Sequence, residues 1–170
     1  RGTSEGLGRG SEFELTLPLS EPPAQASREA PRPAGRRILL VDDNLDAVET
    51  LAELLRLDGH EVRIATEGAS AVAEARRFVP EVVVCDIGMP NEDGYSVMRK
   101  IRAVESARGL GPLDRIPAIA LTAYTRPQDR IHALQNGFQM HLAKPVEPAE
   151  LVVVIDSLVR PRSLDPGRAG

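Results

Sequence analysis

Short, mostly apolar runs alternate with stretches of helical spacing between residues 36 and 160. Each apolar run is bounded by polar or turn-forming residues, which is typical of a buried strand. The predicted strands lie at 38–41, 62–65, 82–85, 116–121 and 139–143. Apolar residues that recur every three or four positions predict helices between and after them. The predicted helices cover 48–55, 69–78, 97–104, 127–135 and 151–158.

Local signals mark the ends of several predicted helices. Asn44 precedes the first helix and is a residue type that caps helix N-termini, while Gly59 suits the helix end. Pro80 stops the second helix, and Asn136 with Gly137 ends the fourth. Pro117 stands near the start of the fourth strand, where a missing backbone donor is tolerated.

Five successive β–α units predict the fold class. Strands that are apolar along their whole length indicate a parallel sheet with helices on both faces, connected by right-handed crossovers. We therefore expect a five-stranded α/β fold of the (βα)5, flavodoxin-like type. Ligands of such sheets bind outside the carboxyl ends of the strands.

The rest of the chain has a different character. In residues 1–17, Phe13, Leu15 and Leu17 alternate with polar residues, which predicts a half-buried strand. Residues 18–35 are rich in Pro, Ala, Ser and charge and are predicted to be a flexible linker, and residues 161–170 a disordered tail. Because the chain starts with Arg1 rather than Met, we expect it to be a fragment of a longer protein.

Polar residues follow the predicted strands at one edge of the sheet. Asp42 and Asp43 follow the first strand and Asp86 the third; Thr122 and Lys144 follow the fourth and fifth. A lone Asp at a strand end is usually a cap or turn former, and a lone Lys is usually a solvated charge. Together, however, three carboxylates need a counter-charge, and Mg²⁺ with oxygen ligands fits that need. Lys144 suits a phosphate oxygen, so the group predicts a phosphoryl-transfer pocket.

Composition and charge exclude several classes. The formal net charge of -4 gives no electrostatic footprint for nucleic acid or an anionic membrane. No apolar run is long enough to span a bilayer, so we expect no membrane contact. The single cysteine, Cys85, excludes an internal disulfide and fits a reducing compartment, and we expect a cytoplasmic location.

The segments ILLVDDN, VVVCDIGMPNEDGYSVMRKIR, IPAIALTAY and HLAKPVEPAEL resemble a response-regulator receiver domain over residues 36–160. The resemblance implies phosphorelay signalling in which Asp86 accepts a phosphoryl group from phosphohistidine. It implies Asp43 as a direct Mg²⁺ ligand, Asp42 as a mainly water-mediated one, and the Gly88 carbonyl as a third. It implies Thr122 and Lys144 as phosphoryl ligands, a cis Lys144-Pro145 bond, and Thr122 and His141 as switch residues, although His141 replaces the usual Tyr or Phe.

The resemblance also implies partners. The donor would be a histidine kinase transmitter or a histidine phosphotransfer domain, and homodimerisation on phosphorylation is a further expectation. The segment EGLGRGSEFELTLPL resembles the last hairpin of a histidine-kinase ATPase domain, which favours a hybrid sensor histidine kinase as the parent. The alternative reading of that segment is a Gly-rich tail with a stray strand.

The sequence fits four functional classes to different degrees. A receiver module that promotes its own phosphorylation and dephosphorylation, and is otherwise not an enzyme, is the leading hypothesis. A DNA-binding response regulator is disfavoured because about ten residues follow the last helix, too few for a helix-turn-helix domain. The alternative to a hybrid-kinase parent is a stand-alone response regulator that lacks a DNA-binding output and acts by protein–protein interaction. A phosphatase with an Asp nucleophile is disfavoured because Gly88 stands where a second acid is needed. A degenerate receiver used as a scaffold is disfavoured by the complete set of site residues.

Overall fold

The computed structural model describes residues 2–4, 11–13, 35–123 and 127–159. The chain divides into two compact units, residues 1–32 and 33–170. In the first unit, β1 (Gly2–Ser4) pairs antiparallel with β2 (Ser11–Phe13). The predicted alternating strand thus appears up to Phe13, and its continuation to residue 17 lies outside the described residues. So do nearly all of the predicted linker and the whole predicted tail.

The second unit contains five strands and five helices within its described residues. The strands are β3 (Arg37–Val41), β4 (Glu61–Ala65), β5 (Val82–Asp86), β6 (Ala118–Thr122) and β7 (Met140–Ala143). The helices are α1 (Leu45–Leu57), α2 (Gly68–Phe78), α3 (Gly94–Ala107), α4 (Pro127–Gln135) and α5 (Pro148–Leu158). The strand order is β4-β3-β5-β6-β7, with every neighbouring pair parallel. The predicted five-stranded α/β fold is confirmed.

Two apolar layers sandwich the sheet, as the period of two along each strand requires. On β3, Leu39 and Val41 join the layer that includes residues of α2 and α3, whereas Ile38 and Leu40 join the layer under α1 and α5. On β5, Val83 and Val84 divide in the same way. Both faces of the central strands β3, β5 and β6 are therefore almost wholly buried, whereas β4 and β7 at the margins of the sheet also carry exposed residues. No helix in the described part of the chain is long and apolar enough to cross a membrane.

Helix capping fixes where the elements nearest to the carboxyl edge of the sheet begin. The side chain of Asn44 accepts a hydrogen bond from the Ala47 N–H at 3.2 Å, so α1 starts directly after β3 as predicted. The side chain of Asp93 accepts from the Ser96 N–H at 2.7 Å and starts α3. Pro148 occupies the first turn of α5, where its missing N–H costs no helical hydrogen bond.

A buried ion pair at the amino end of the sheet was not predicted. Arg102 and Glu105 of α3 have side chains only 8% and 3% exposed, and Arg102 Nη1 lies 2.8 Å from Glu105 Oε2. Arg102 Nη1 also donates to the Ile116 carbonyl at 2.7 Å, and Nη2 to the Gly137 carbonyl at 2.6 Å. Glu105 Oε1 accepts from the Ile116 N–H at 2.9 Å. The pair therefore ties α3 to the segments that lead into β6 and β7.

This pair explains the main difference from the predicted strand boundaries. The fourth strand was predicted to begin at residue 116, but β6 begins at Ala118. Ile116 cannot join the ladder in the same way, because both its N–H and its carbonyl bond to side chains of α3. β7 likewise begins at Met140 rather than 139, and the side chain of Gln139 accepts from the Ala118 N–H at 2.7 Å.

Candidate functional site

The strand ends bring the predicted site residues to one edge of the sheet. Asp86 and Thr122 are the last residues of β5 and β6, Asp42 follows β3, and Lys144 follows β7. Backbone hydrogen bonds continue past the strands and fix these ends relative to one another. The Asp42 N–H donates to the Ala65 carbonyl at 3.2 Å, and the Lys144 N–H to the Thr122 carbonyl at 2.8 Å.

Lys144 bridges two of the carboxylates. Its Nζ lies 2.7 Å from Asp42 Oδ2 and 3.0 Å from Asp86 Oδ2, and both aspartate side chains are only 8% exposed. Partial burial alone would lower the pKa of Lys144, but the hydrogen bonds and charges of Asp42 and Asp86 outweigh it and raise that pKa above its usual value. Lys144 is therefore held as an ammonium between the two carboxylates.

The third carboxylate, Asp43, completes an acidic cluster. Oxygen atoms of Asp42, Asp43 and Asp86 lie within 4.8 Å of one another, and Asp43 is exposed while the other two are buried. Three carboxylates face one ammonium here, so one lysine leaves an excess of negative charge. Carboxylate oxygens are the ligands that Mg²⁺ prefers, so the donor set fits a small hard cation.

The loop after Asp86 shapes the acceptor. The Gly88 N–H donates to Asp86 Oδ1 at 3.1 Å, which places the Gly88 backbone beside the carboxylate. The Gly94 N–H donates to the Ile87 carbonyl at 3.1 Å. A Cβ atom at Gly94 would overlap the Asp86 carbonyl oxygen, so α3 can start this close to Asp86 only with glycine. Gly94 belongs to the segment VVVCDIGMPNEDGYSVMRKIR that resembles the family, and this close approach is the physical reason for a glycine there.

Thr122 and His141 lie on one face of the sheet. Thr122 is buried, and His141 is half-buried and pairs in register with Ala120, two residues before Thr122. Their neighbours Leu121 and Leu142 both belong to the layer under α1 and α5, so Thr122 and His141 point to the opposite face. The Lys144-Pro145 peptide bond is cis, as the resemblance implies. The structure thus gathers Asp42, Asp43, Asp86 and Lys144 around one point, with Gly88 and Thr122 adjoining and His141 farther along β7.

A parallel α/β sheet with an acidic cluster and a lysine at its carboxyl edge defines a receiver-type signalling domain. The chain belongs to the response regulator receiver domain family, which its sequence matches over residues 38–156. Domains of this family act in two-component, phosphorelay signalling, and the resemblance seen in the sequence is confirmed.

Three similar proteins illustrate the family. The transcriptional regulatory protein PrrA of Mycobacterium tuberculosis is 37% identical over 126 residues, which cover 74% of this chain and 51% of PrrA. The chain thus spans about half the length of that relative. The receiver domain of sensor histidine kinase PA1611 from Pseudomonas aeruginosa, solved with a magnesium ion in its active-site cleft, is 38% identical with a TM-score of 0.63, covering 74% of this chain and 98% of that one. The receiver domain of Ssk1 from Saccharomyces cerevisiae, solved with the histidine phosphotransfer protein Ypd1, is 25% identical with a TM-score of 0.68. The match covers 74% of this chain and 90% of that one.

Proposed function

We propose that this chain accepts a phosphoryl group from a phosphohistidine onto Asp86, with Mg²⁺ bound at the acidic cluster. The observation that carries the proposal is the position of Lys144 Nζ, 2.7 Å from Asp42 Oδ2 and 3.0 Å from Asp86 Oδ2. In the transfer, the bond from phosphorus to the histidine nitrogen breaks while a bond from phosphorus to an Asp86 carboxylate oxygen forms. No redox partner is needed, and the phosphohistidine and Asp86 are the two reactants.

The residues around Asp86 divide the work of positioning and charge neutralisation, which dominates phosphoryl transfer. The Gly88 N–H bonds to Asp86 Oδ1 and orients the nucleophile. Lys144 is a compact ammonium beside Asp86 and is suited to a phosphoryl oxygen. Thr122, at the end of the adjacent strand, supplies a hydroxyl for a second phosphoryl oxygen. His141, on the same face as Thr122, is proposed as the switch residue.

The acidic cluster is proposed as the Mg²⁺ site, with Asp43 as the direct ligand, Asp42 acting mainly through water, and Asp86 and the Gly88 carbonyl completing the protein ligands. When bound, the ion supplies positive charge between the carboxylates and the incoming phosphoryl oxygens. The observation that supports this is the clustering of the three carboxylates within 4.8 Å. The magnesium in the cleft of the similar PA1611 receiver domain gives independent support.

The donor and the setting are proposed by similarity. The Ypd1 complex of the similar Ssk1 receiver supports a histidine phosphotransfer domain or kinase transmitter as the donor, which would act in the cytoplasm. The antiparallel pair β1–β2 ahead of the receiver and the likeness to the PA1611 receiver support a hybrid histidine kinase as the parent. A stand-alone regulator is the alternative. A gene sequence that encodes no ATPase domain before Arg1 would exclude the hybrid parent.

Intact-mass spectrometry after incubation with a small phosphodonor such as acetyl phosphate tests the acceptor. We expect one added phosphoryl group with Mg²⁺ and none with chelator. Asp86→Asn should remove the label, whereas Asp114→Asn, a matched change at an exposed aspartate of the loop before β6, should keep it. Equal labelling of wild type and Asp86→Asn would refute Asp86 as the acceptor.

A further inference from the structure

A groove with a volume of about 340 Å³ lies between α2 and α3. On α2 it is lined by Val72 and Arg76, which stand one helical turn apart. On α3 it is lined by four residues with the i, i+3, i+4, i+7 spacing of a single helix face: Lys100, Ala103, Val104 and Ala107. Val104 is 8% exposed and Val72 packs against the core, so the floor of the groove is apolar. The volume falls within the roughly 300–1,000 Å³ typical of small-molecule sites, which combine an apolar lining with a few polar groups.

Both charged residues that line the groove are cations, and none of the carboxylates among the described residues lines it. Arg76 is exposed and forms no ion pair within the described part of the chain. Its neighbours three and four positions away in the sequence cannot provide one, because these are all apolar: Val72, Ala73, Val79 and Pro80. The Arg76 guanidinium is therefore an unpaired positive charge beside an apolar floor.

Two further cations lie close to Arg76. Lys100 is compensated, since its Nζ lies 2.6 Å from Glu92 Oε1. Arg108, directly after α3, donates a hydrogen bond to the Arg76 carbonyl. That acceptor is neutral, so the positive charge of Arg108 adds to the charge of Arg76 at this end of the groove.

The remaining charges nearby do not cancel the two arginines. Glu74 of α2 lines a different cavity, next to β4, and its Oε1 lies 4.0 Å from Arg77 Nη1. The C-termini of α2 and α3 add roughly half a negative charge each, which is less than the charge of the two arginines together. The groove therefore attracts anions and repels cations.

We propose that the groove between α2 and α3 binds a small amphipathic carboxylate. The apolar body of the ligand would lie over Val72 and Val104, and its carboxylate would pair with the guanidinium of Arg76, whose planar fork of N–H groups matches two carboxylate oxygens. An amine of the same shape would meet the excess positive charge. A neutral analogue would keep only the apolar contacts, and would therefore bind more weakly than the carboxylate.

The test uses 4-phenylbutanoate with its neutral and cationic counterparts, 4-phenylbutanol and 4-phenylbutylamine. Titrated into the chain with chelator and followed by NMR, the acid should bind saturably, the alcohol at least several-fold more weakly, and the amine more weakly still. Arg76→Gln should weaken the acid at least several-fold and leave the alcohol unchanged. Arg77→Gln, at an exposed arginine of the same helix that does not line the groove, is the matched control and should bind as wild type does.

Two variants test the position of the apolar body. Ala103→Phe and Ala107→Phe, both at exposed positions of α3, should fill the groove and abolish binding of the acid. Ala73→Phe, at an exposed position of α2 outside the groove, is their control and should bind normally.

The proposal would be overturned by the absence of saturable binding, by equal binding of acid and alcohol, or by normal binding to both groove-filling variants. An effect of Arg77→Gln as large as that of Arg76→Gln would show attraction to the surface in general and would overturn it too. Binding that appears only with Mg²⁺ would place the acid at the acidic cluster instead of the groove. Shifts of groove residues that depend on protein concentration without ligand would assign the groove to a second copy of the chain, and either result would overturn the proposal.

Discussion

Replacing Asp43 with Asn should stabilise the metal-free chain. Asp43 is the exposed member of the acidic cluster, and Lys144 forms its ion pairs with the other two carboxylates, Asp42 and Asp86. The substitution keeps the size and shape of the side chain and removes one negative charge. It therefore relieves repulsion from Asp42 and Asp86 without disturbing either bond to Lys144.

The size of the effect follows from Coulomb's law. At 4.8 Å, each carboxylate pair repels by about 0.9 kcal/mol in bulk water and by about 3.5 kcal/mol at an effective dielectric near 20. Because Asp43 is exposed, solvent screening places both pairs near the lower value. We expect Asp43→Asn to raise the unfolding free energy by about 1–2 kcal/mol, which corresponds to an increase in Tm of roughly 3–8 °C.

Thermal unfolding followed by circular dichroism, with chelator and then with Mg²⁺, measures the change in Tm that Asp43→Asn causes. In chelator Asp43→Asn should melt above wild type, and the gap should shrink as salt is added. In Mg²⁺ the order should reverse, because the ion stabilises wild type by mass action, about 2.7 kcal/mol at a hundredfold excess over Kd. Asp46→Asn, an exposed change in the first turn of α1, is the control and should show no stabilisation. A metal-free Asp43→Asn that melts at or below wild type would refute the charge argument.

Three further predictions concern neighbouring features. Gly94→Ala should lower the free energy of unfolding in urea by about 1–3 kcal/mol, because its Cβ would overlap the Asp86 carbonyl. Gly111→Ala is the control and should lower it little, since its Cβ would meet only the Asp114 carboxylate at 3.6 Å. Equal losses of stability in the two variants would contradict this. Arg102→Met should lower the free energy of unfolding by about 3–5 kcal/mol, because it leaves Glu105 buried without its cation. The double variant Arg102→Met with Glu105→Leu should recover much of that stability. A double variant no more stable than Arg102→Met alone would show that the buried charge was not the cause. Lys144→Arg should lose the conformational response to phosphorylation, because a planar guanidinium does not replace a compact ammonium. A phosphorylation-induced NMR shift pattern that matches wild type would disprove this.

The sequence predicted which polar side chains meet at the carboxyl edge of the sheet, because these residues stand at strand ends. Once Asp42, Asp86 and Thr122 each follow an apolar run, the parallel sheet must bring them to one edge. The start of α1 was predictable for a similar reason, since Asn44 caps the helix through a contact only three residues away. Local signals and the topology of the sheet together determine these positions.

The Arg102–Glu105 pair shows where sequence reasoning fell short. Charged residues on a helix are usually solvated, and the sequence led to no prediction for this pair. A signal was nevertheless present: Met98, Ile101, Arg102 and Glu105 follow the i, i+3, i+4, i+7 spacing of a buried helix face. What the sequence could not provide was the set of backbone groups that compensate the burial, because these come from segments 11 to 35 residues away.

The same pair has an evolutionary consequence. Its partners outside α3 are largely backbone atoms, the N–H and carbonyl of Ile116 and the carbonyl of Gly137. Every residue except proline provides both backbone atoms at position 116, so other substitutions there leave the pair's partners in place. Loss of either charge, by contrast, leaves the other buried without compensation. Among relatives we therefore expect positions 102 and 105 to change together, and position 116 to vary independently of both.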